Sequence, residues 1–124
     1  MREAQGMHEL AVCQGLMREV ERVARAAGAD RVVSVTLRIG PLSGVEPQLL
    51  ESAFPLATAG TVAADCRLLI ERTAVRVRCQ SCGAESQAAS SRLVCAHCGH
   101  WRVQLLSGEE LLLARVELLR ECNA

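Results

Sequence analysis

Cys79-Gln80-Ser81-Cys82-Gly83 and Cys95-Ala96-His97-Cys98-Gly99 are two copies of one short pattern, and their reading decides how the chain is organised. Each CxxC turn aims two thiolates at one spot, and a glycine directly after the second cysteine lets the backbone turn so that its amides face the sulfurs. Four sulfurs meeting tetrahedrally fill the shell of a zinc ion and leave no position for water or substrate, which marks a structural rather than a catalytic site. A rubredoxin-type iron site shares the spacing; zinc is the commoner occupant, and the pattern is that of a zinc ribbon. Such small modules bury too little apolar surface to fold unaided, so residues 74–106 are expected to depend on their metal. His97 and His100 border the second knuckle and are read as exposed loop residues, with ligation as the minor alternative.

Outward from the knuckles the chain reads as strands. Ala74 to Arg78 is an extended lead into Cys79, while beyond Cys98 the residues Trp101, Val103 and Leu105 alternate with Arg102 and Gln104. Ser107-Gly108 makes a turn, after which Leu112, Ala114, Val116 and Leu118 alternate with Leu113, Arg115 and Glu117. Upstream, Leu68 and Ile70 suggest a strand after a turn near Gly60, and Val33, Val35, Leu37 and Ile39 give another with one apolar face.

The remaining pattern is helical. Leu10, Cys13, Leu16, Met17, Val20, Val23, Ala24 and Ala27 recur at steps of three and four, predicting an amphipathic helix from Glu9 to Ala27 that Gly28 ends. Pro47 suits the first turn of a second helix carrying Leu49, Leu50, Ala53 and Phe54, and Pro55 is expected to end or kink it. The order helix, strand, helix, strand, metal segment, strand, strand implies an α+β body into which the ribbon is inserted.

Composition narrows the function. The 14 basic residues, all arginine, balance 14 Asp plus Glu, so no whole-molecule field draws the chain to nucleic acid or anionic lipid. Locally, Ala74 to Ser107 holds Arg76, Arg78, Arg92 and Arg102 against Glu85, four minus one or +3, which keeps a nucleic-acid or protein-binding ribbon as the alternative reading. Phe54 and Trp101 are the only aromatic residues, so base-stacking platforms are scarce. No nucleophile has an identifiable base and no GxxxxGK(S/T) phosphate loop is present, which argues against an enzyme. The amino-terminal residues lack the apolar run of a secretory signal, and the longest uncharged stretch, Ser52 to Ala64, falls short of the roughly 20 residues of a spanning helix. A soluble, cytoplasmic protein is expected, and its 7 cysteines point to metal rather than disulfides. Cys13 falls on the apolar stripe and is read as a buried structural residue; Cys66 and Cys122 lack paired spacing and are read as free thiols.

Met7-His8-Glu9-Leu10-Ala11-Val12-Cys13-Gln14, Gly40-Pro41-Leu42-Ser43-Gly44-Val45-Glu46-Pro47 and the paired knuckles together closely resemble the HypA/HybF family of nickel-incorporation proteins. The match runs in order from Met7 to about Leu119. The resemblance implies a metallochaperone that carries Ni(II), works with the partner GTPase HypB and delivers nickel to the large subunit of NiFe-hydrogenase, and in some organisms to urease. It implies a mixed α/β nickel-binding domain, two helices on a three-stranded sheet, over residues 1–73 plus 107–124, with the zinc ribbon at 74–106. It places the nickel ligands at Met7, His8 and Glu9, with Glu46 as a further carboxylate. Imidazole and carboxylate donors suit divalent nickel, and an accessible site suits an ion that must be released. In the family the terminal amine takes part; here six residues precede Met7, so either the natural start is Met7, the preferred expectation, or nickel is bound without that amine.

Overall fold

Cys13, Met17, Val20 and Ala24 follow one another at steps of four, three and four, and all are buried. That stripe gives helix α1 its inward face in the computed structural model, which describes residues 2–121 and side chains from His8 onward within that range. The helix spans Arg2–Ala26 and so begins earlier than the expected Glu9. Arg2, Glu3, Ala4 and Gln5 are good helix formers, and Gly6 weakens the run without breaking it. His8 therefore lies inside α1 rather than at its start. The helix ends as expected at Gly28, whose φ of 66° suits glycine, while the amides of Ala27, Gly28 and Ala29 return to the Val23, Arg25 and Ala24 carbonyls at 3.1, 3.1 and 2.9 Å.

Helix α2 spans Pro47–Thr58, with Glu46 as its N-cap. Proline at the first position has no amide to leave unpaired, and the Glu46 carboxylate accepts from the Gln48 amide at 3.3 Å. Leu50, Ala53, Phe54 and Thr58 are buried, while Leu49 is only half-buried. Of the two outcomes expected at Pro55, an end or a kink, the end does not occur, since Pro55 lies inside α2. The carbonyl it would have paired belongs to Glu51, and both residues are exposed, so water can take the place of the lost bond. α1 and α2 pack on each other. Leu50, fully buried there, contributes about 2 kcal/mol, and Leu50→Ala costs roughly 2–5 kcal/mol.

Strands β1 (Arg31–Ile39), β2 (Arg67–Arg72), β3 (Val75–Cys79), β4 (Glu85–Ala88), β5 (Val103–Ser107) and β6 (Leu111–Leu119) form two three-stranded sheets, ordered β2-β1-β6 and β4-β3-β5. In the first sheet, the Asp30 amide meets the Leu119 carbonyl at 2.9 Å and the Gly40 amide meets that of Glu110 at 2.8 Å, so β6 runs antiparallel to β1. Thr73 donates to the Ile39 carbonyl at 3.1 Å and Arg38 pairs with Glu71, which joins the later ends of β1 and β2, as a crossover through α2 requires.

The expected one-faced alternation of β1 fails. Val33 is 40% exposed, whereas Val32, Ser34 and Thr36 are buried along with Val35, Leu37 and Ile39. As the middle strand, β1 is covered on both sides over most of its length, and Ser34 is accommodated by donating to Glu117 on β6 at 2.8 Å. β6 also shifts phase: Leu111, Leu113, Val116 and Leu118 are half-buried, so Leu112 and Ala114 do not share the inward side of Val116.

By their contacts, the residues divide into two units, one of Met1–Leu37, Glu46–Ile70 and Leu113–Ala124 and the other of Arg38–Val45 and Glu71–Leu112. In the second unit β3 pairs antiparallel with both neighbours, Val77 facing Ser86 on one side and Leu105 on the other. The loop after β1 meets the β5–β6 turn closely. The Leu42 amide bonds the Gly108 carbonyl at 2.7 Å, and a Cβ on Gly40 would lie 2.1 Å from that same oxygen. Glu110 fixes the turn by accepting from the Gly108 amide at 2.6 Å, and its own and the Gly108 amides hold its carboxyl below the usual range. Among the described residues no helix is long and apolar enough to cross a membrane.

Candidate metal centre

Each knuckle is built the same way. The Cys79 amide bonds the Ala84 carbonyl at 2.9 Å and the Gly83 amide returns to the Cys79 carbonyl at 3.0 Å; at the second knuckle Cys95 meets His100 at 3.0 Å and Gly99 meets Cys95 at 2.9 Å. Gly83 and Gly99 take φ of 76° and 75°, a left-handed turn that a side chain would strain. The turn aims amides at the first sulfur of each pair. Ser81 and Cys82 donate to Cys79 Sγ at 3.3 and 3.4 Å, and His97 and Cys98 donate to Cys95 Sγ at 3.3 and 3.5 Å.

The four sulfurs converge as the spacing implied, all within 4.8 Å of one another. Cys79 Sγ lies 3.5 Å from Cys98 Sγ, and Cys82 Sγ lies 3.7 Å from Cys95 Sγ. A tetrahedron with metal–sulfur bonds of about 2.3 Å has edges of about 3.8 Å, so the donors are already placed for a thiophilic ion. The thiols are electrostatically prepared for it. The Cys98 amide, ahead of that of His97, outweighs burial and lowers Cys95 to about 6, and the Cys82 amide lowers Cys79. Cys98 is lowered by the His100 amide, but Cys79, burial, Cys82 and Cys95 together carry it up to about 12. Four sulfurs share one spot, and a divalent cation held among them would bind them as thiolates, relieving the crowding and releasing protons.

His97 is exposed and contributes its amide to Cys95; His100 Nδ1 accepts from the Arg102 amide at 3.0 Å, and its ring stacks on Trp101. Cys13 is fully buried and donates to the Leu50 carbonyl at 3.6 Å, and burial, with the Glu9 charge, pushes its thiol to about 11. Cys66 is half-buried and free, with its thiol raised by burial; Cys122 lies outside the described residues.

At α1, His8 is exposed and Glu9 is only 2% exposed. Glu9 Oε2 accepts from the Glu46 amide at 3.0 Å, which ties the start of α2 to α1. Glu9 Oε1 is buried with no partner, the one such side-chain atom among the described residues. The Glu46 carboxylate is exposed and turned along its own helix toward Gln48. The side chain of Met7 lies outside those described. Glu9 and Glu46 are thus brought together through the Glu46 backbone, with His8 beside Glu9 in the chain.

Residues 7–118 match the family model described as hydrogenase/urease nickel incorporation, metallochaperone, HypA. The chain belongs to the HypA family. It is 49% identical over 113 residues to the hydrogenase maturation factor HypA of Nitrosospira multiformis, covering 91% of this chain and 98% of that one. The corresponding factor of Aquifex aeolicus is 39% identical over 112 residues, with 90% and 97% covered. The solution structure of the nickel metallochaperone HypA from Helicobacter pylori superposes with a TM-score of 0.66 at 28% identity, covering 91% and 98%. HypA proteins are hydrogenase-maturation metallochaperones, and membership does not favour the nucleic-acid alternative.

Two features escaped the sequence reading. Strand β4, Glu-Ser-Gln-Ala, has no apolar alternation to announce it and is defined by its pairing with β3. The Gly40–Gly108 approach is a long-range backbone contact that local pattern does not carry, although a glycine beside Pro41 was a hint.

Proposed function

We propose that this HypA chain carries Ni(II) at α1, with His8, Glu9 and Met7 as donors and Glu46 completing the set, while Cys79, Cys82, Cys95 and Cys98 hold a structural Zn(II). The observation that carries the nickel reading is Glu9. A carboxylate almost wholly removed from water has one oxygen on the Glu46 amide and the other without a partner among the described residues, and an orphaned buried acceptor costs about 1–3 kcal/mol. A cation arriving beside exposed His8 supplies that partner. Sulfur-only ligation at the ribbon suits zinc, and the nitrogen and oxygen donors of α1 suit nickel.

The chain is a carrier rather than an enzyme. It offers no phosphate loop, so any GTP-driven step belongs to a partner GTPase of the HypB kind. The acceptor is the NiFe-hydrogenase large subunit, with urease as a second acceptor class, and the exchange takes place in the cytoplasm. Residues 1–73 with 107–124 serve as the nickel-binding domain and 74–106 as the zinc ribbon.

Metal analysis with nickel titration tests this reading. One zinc and one removable nickel per chain are expected, with nickel lost and zinc kept in His8→Ala. Iron in the cysteine cage would overturn the zinc assignment, and nickel bound as tightly without His8 would overturn the ligand set.

A further inference from the structure

We propose that the outer face of the β4-β3-β5 sheet, rimmed by Trp101, is a docking surface for an acidic segment of a partner protein. Antiparallel partners share a face of their sheet, so the register sorts the side chains. Val75, Val77, Cys79 and Ser86 are buried on one face. Arg76 and Arg78 on β3, Gln87 and Glu85 opposite them on β4, and Gln104 opposite Arg78 on β5 are exposed on the other. Arg102, two residues before Gln104 and also exposed, extends that row, with its carbonyl held by the Gln80 amide at 2.9 Å. Three arginines stand against Glu85, three minus one or +2, and Glu85 answers only Arg78, at 3.6 Å.

Trp101, in the bend just before β5, stands at the edge of this basic row beside Arg102 and offers it an anchor. The ring is 68% exposed in a chain with one tryptophan, and the Arg102 guanidinium lies 5.2 Å from its centroid. The His100 ring stacks on it at 6.0 Å, and because His100 Nδ1 accepts from the Arg102 amide, Nε2 is left as the ring's donor. The polar side-chain groups of the rim are thus all donors set around an apolar ring. That chemistry fits carboxylates next to an aliphatic side chain. Phosphates would also meet donors, but Trp101 is a single platform and the other aromatic residue, Phe54, is buried, so successive bases would have no second ring to stack on.

The inference deepens the partner part of the function proposed above and is tested without nickel. Zinc-loaded chain is titrated into fluorescein-labelled peptides of alternating Glu and Leu or alternating Lys and Leu, and into labelled oligothymidylate, with anisotropy as the readout. The acidic peptide is expected to bind tightest, with an affinity that falls as salt rises. Trp101→Ala should weaken it about tenfold, and Arg78→Ala with Arg102→Ala roughly three- to tenfold with a flatter salt dependence. All three side chains are exposed, so the variants should keep their zinc, and metal content confirms that they have folded. Equal binding of the basic peptide, tighter binding of oligothymidylate, or unchanged binding by both variants would overturn the proposal. Nickel binding lost with peptide binding intact counts only against the nickel reading.

Discussion

At the knuckles four sulfurs crowd within 4.8 Å of one another, the first of each pair taking amide hydrogen bonds from its own turn; at α1 one buried carboxylate holds the Glu46 amide and keeps its second oxygen without a partner among the described residues. On the reading proposed above both arrangements hold a cation, and they should differ in how much of the chain depends on it. The knuckles sit in a unit with short strands and few fully buried side chains, whereas α1 and α2 have an apolar interface of their own. A cage on which folding depends is poorly suited to trading its ion. A site whose ion leaves behind one bare oxygen, about 1–3 kcal/mol, is suited to release.

The sharpest way to break that contrast is to remove a sulfur. Structural zinc in small modules is worth on the order of 10 kcal/mol, more than a ribbon of this size can replace. Cys95→Ser, or chelation, should therefore unfold residues 74–106 while α1 and α2 stay helical. Amide hydrogen exchange checks this: lost protection in β3 and β4 with kept protection in α1 is expected, and a protected, metal-free ribbon would erase the distinction between the two sites.

Gly40 comes next. A Cβ there meets the Gly108 carbonyl oxygen at 2.1 Å, a backbone atom that cannot swing aside. Gly40→Ala should cost on the order of 3 kcal/mol, read as a fall in thermal midpoint. Gly44, with φ of 80° and open space around it, is the control. Gly44→Ala should cost about 1 kcal/mol from backbone strain alone. Equal losses at the two sites would mean that the close approach does not hold the loop to the turn.

Glu9→Gln sharpens the comparison from the other side. The amide oxygen can keep the Glu46 contact while the charge is removed, so the metal-free chain should be as stable as before or gain about 1 kcal/mol. Nickel affinity should fall about tenfold or more. A variant that loses stability and keeps its nickel would show that Glu9 is a structural clasp and nothing else.

The four-cysteine cluster was legible because CxxC-Gly is a local device: the sulfurs, turn and amide donors of each pair lie within a few residues. α1 was legible from its stripe as far as Glu9, and the second helix from Pro47. What depended on distant partners was not. Val33 and Val32 exchange places because a middle strand is covered on both sides, and Pro55 passes without ending α2 because the carbonyl it leaves unpaired is that of exposed Glu51, where water can reach it. Glu9 appeared in the sequence as one letter of a motif, and only the start of α2 folding onto α1 shows that its carboxylate is buried.

Cys13 offers the smallest effect and the cleanest sign. It lies one turn beyond Glu9 on α1, and burial, helped by the Glu9 charge, raises its thiol from 9.0 to about 11. Between those values the unfolded chain has released the thiol proton while the folded chain still holds it, so the folded state binds more protons and stability must fall as pH rises. Below pH 9 the thiol is neutral in both states and contributes no slope. Cys13→Ala should flatten the decline measured by denaturant unfolding between pH 9 and 11 and leave nickel affinity unchanged. If nickel binding fell instead, the thiol would belong to the cargo site, and the proposed division between a sulfur cage for zinc and a nitrogen and oxygen site for nickel would fail.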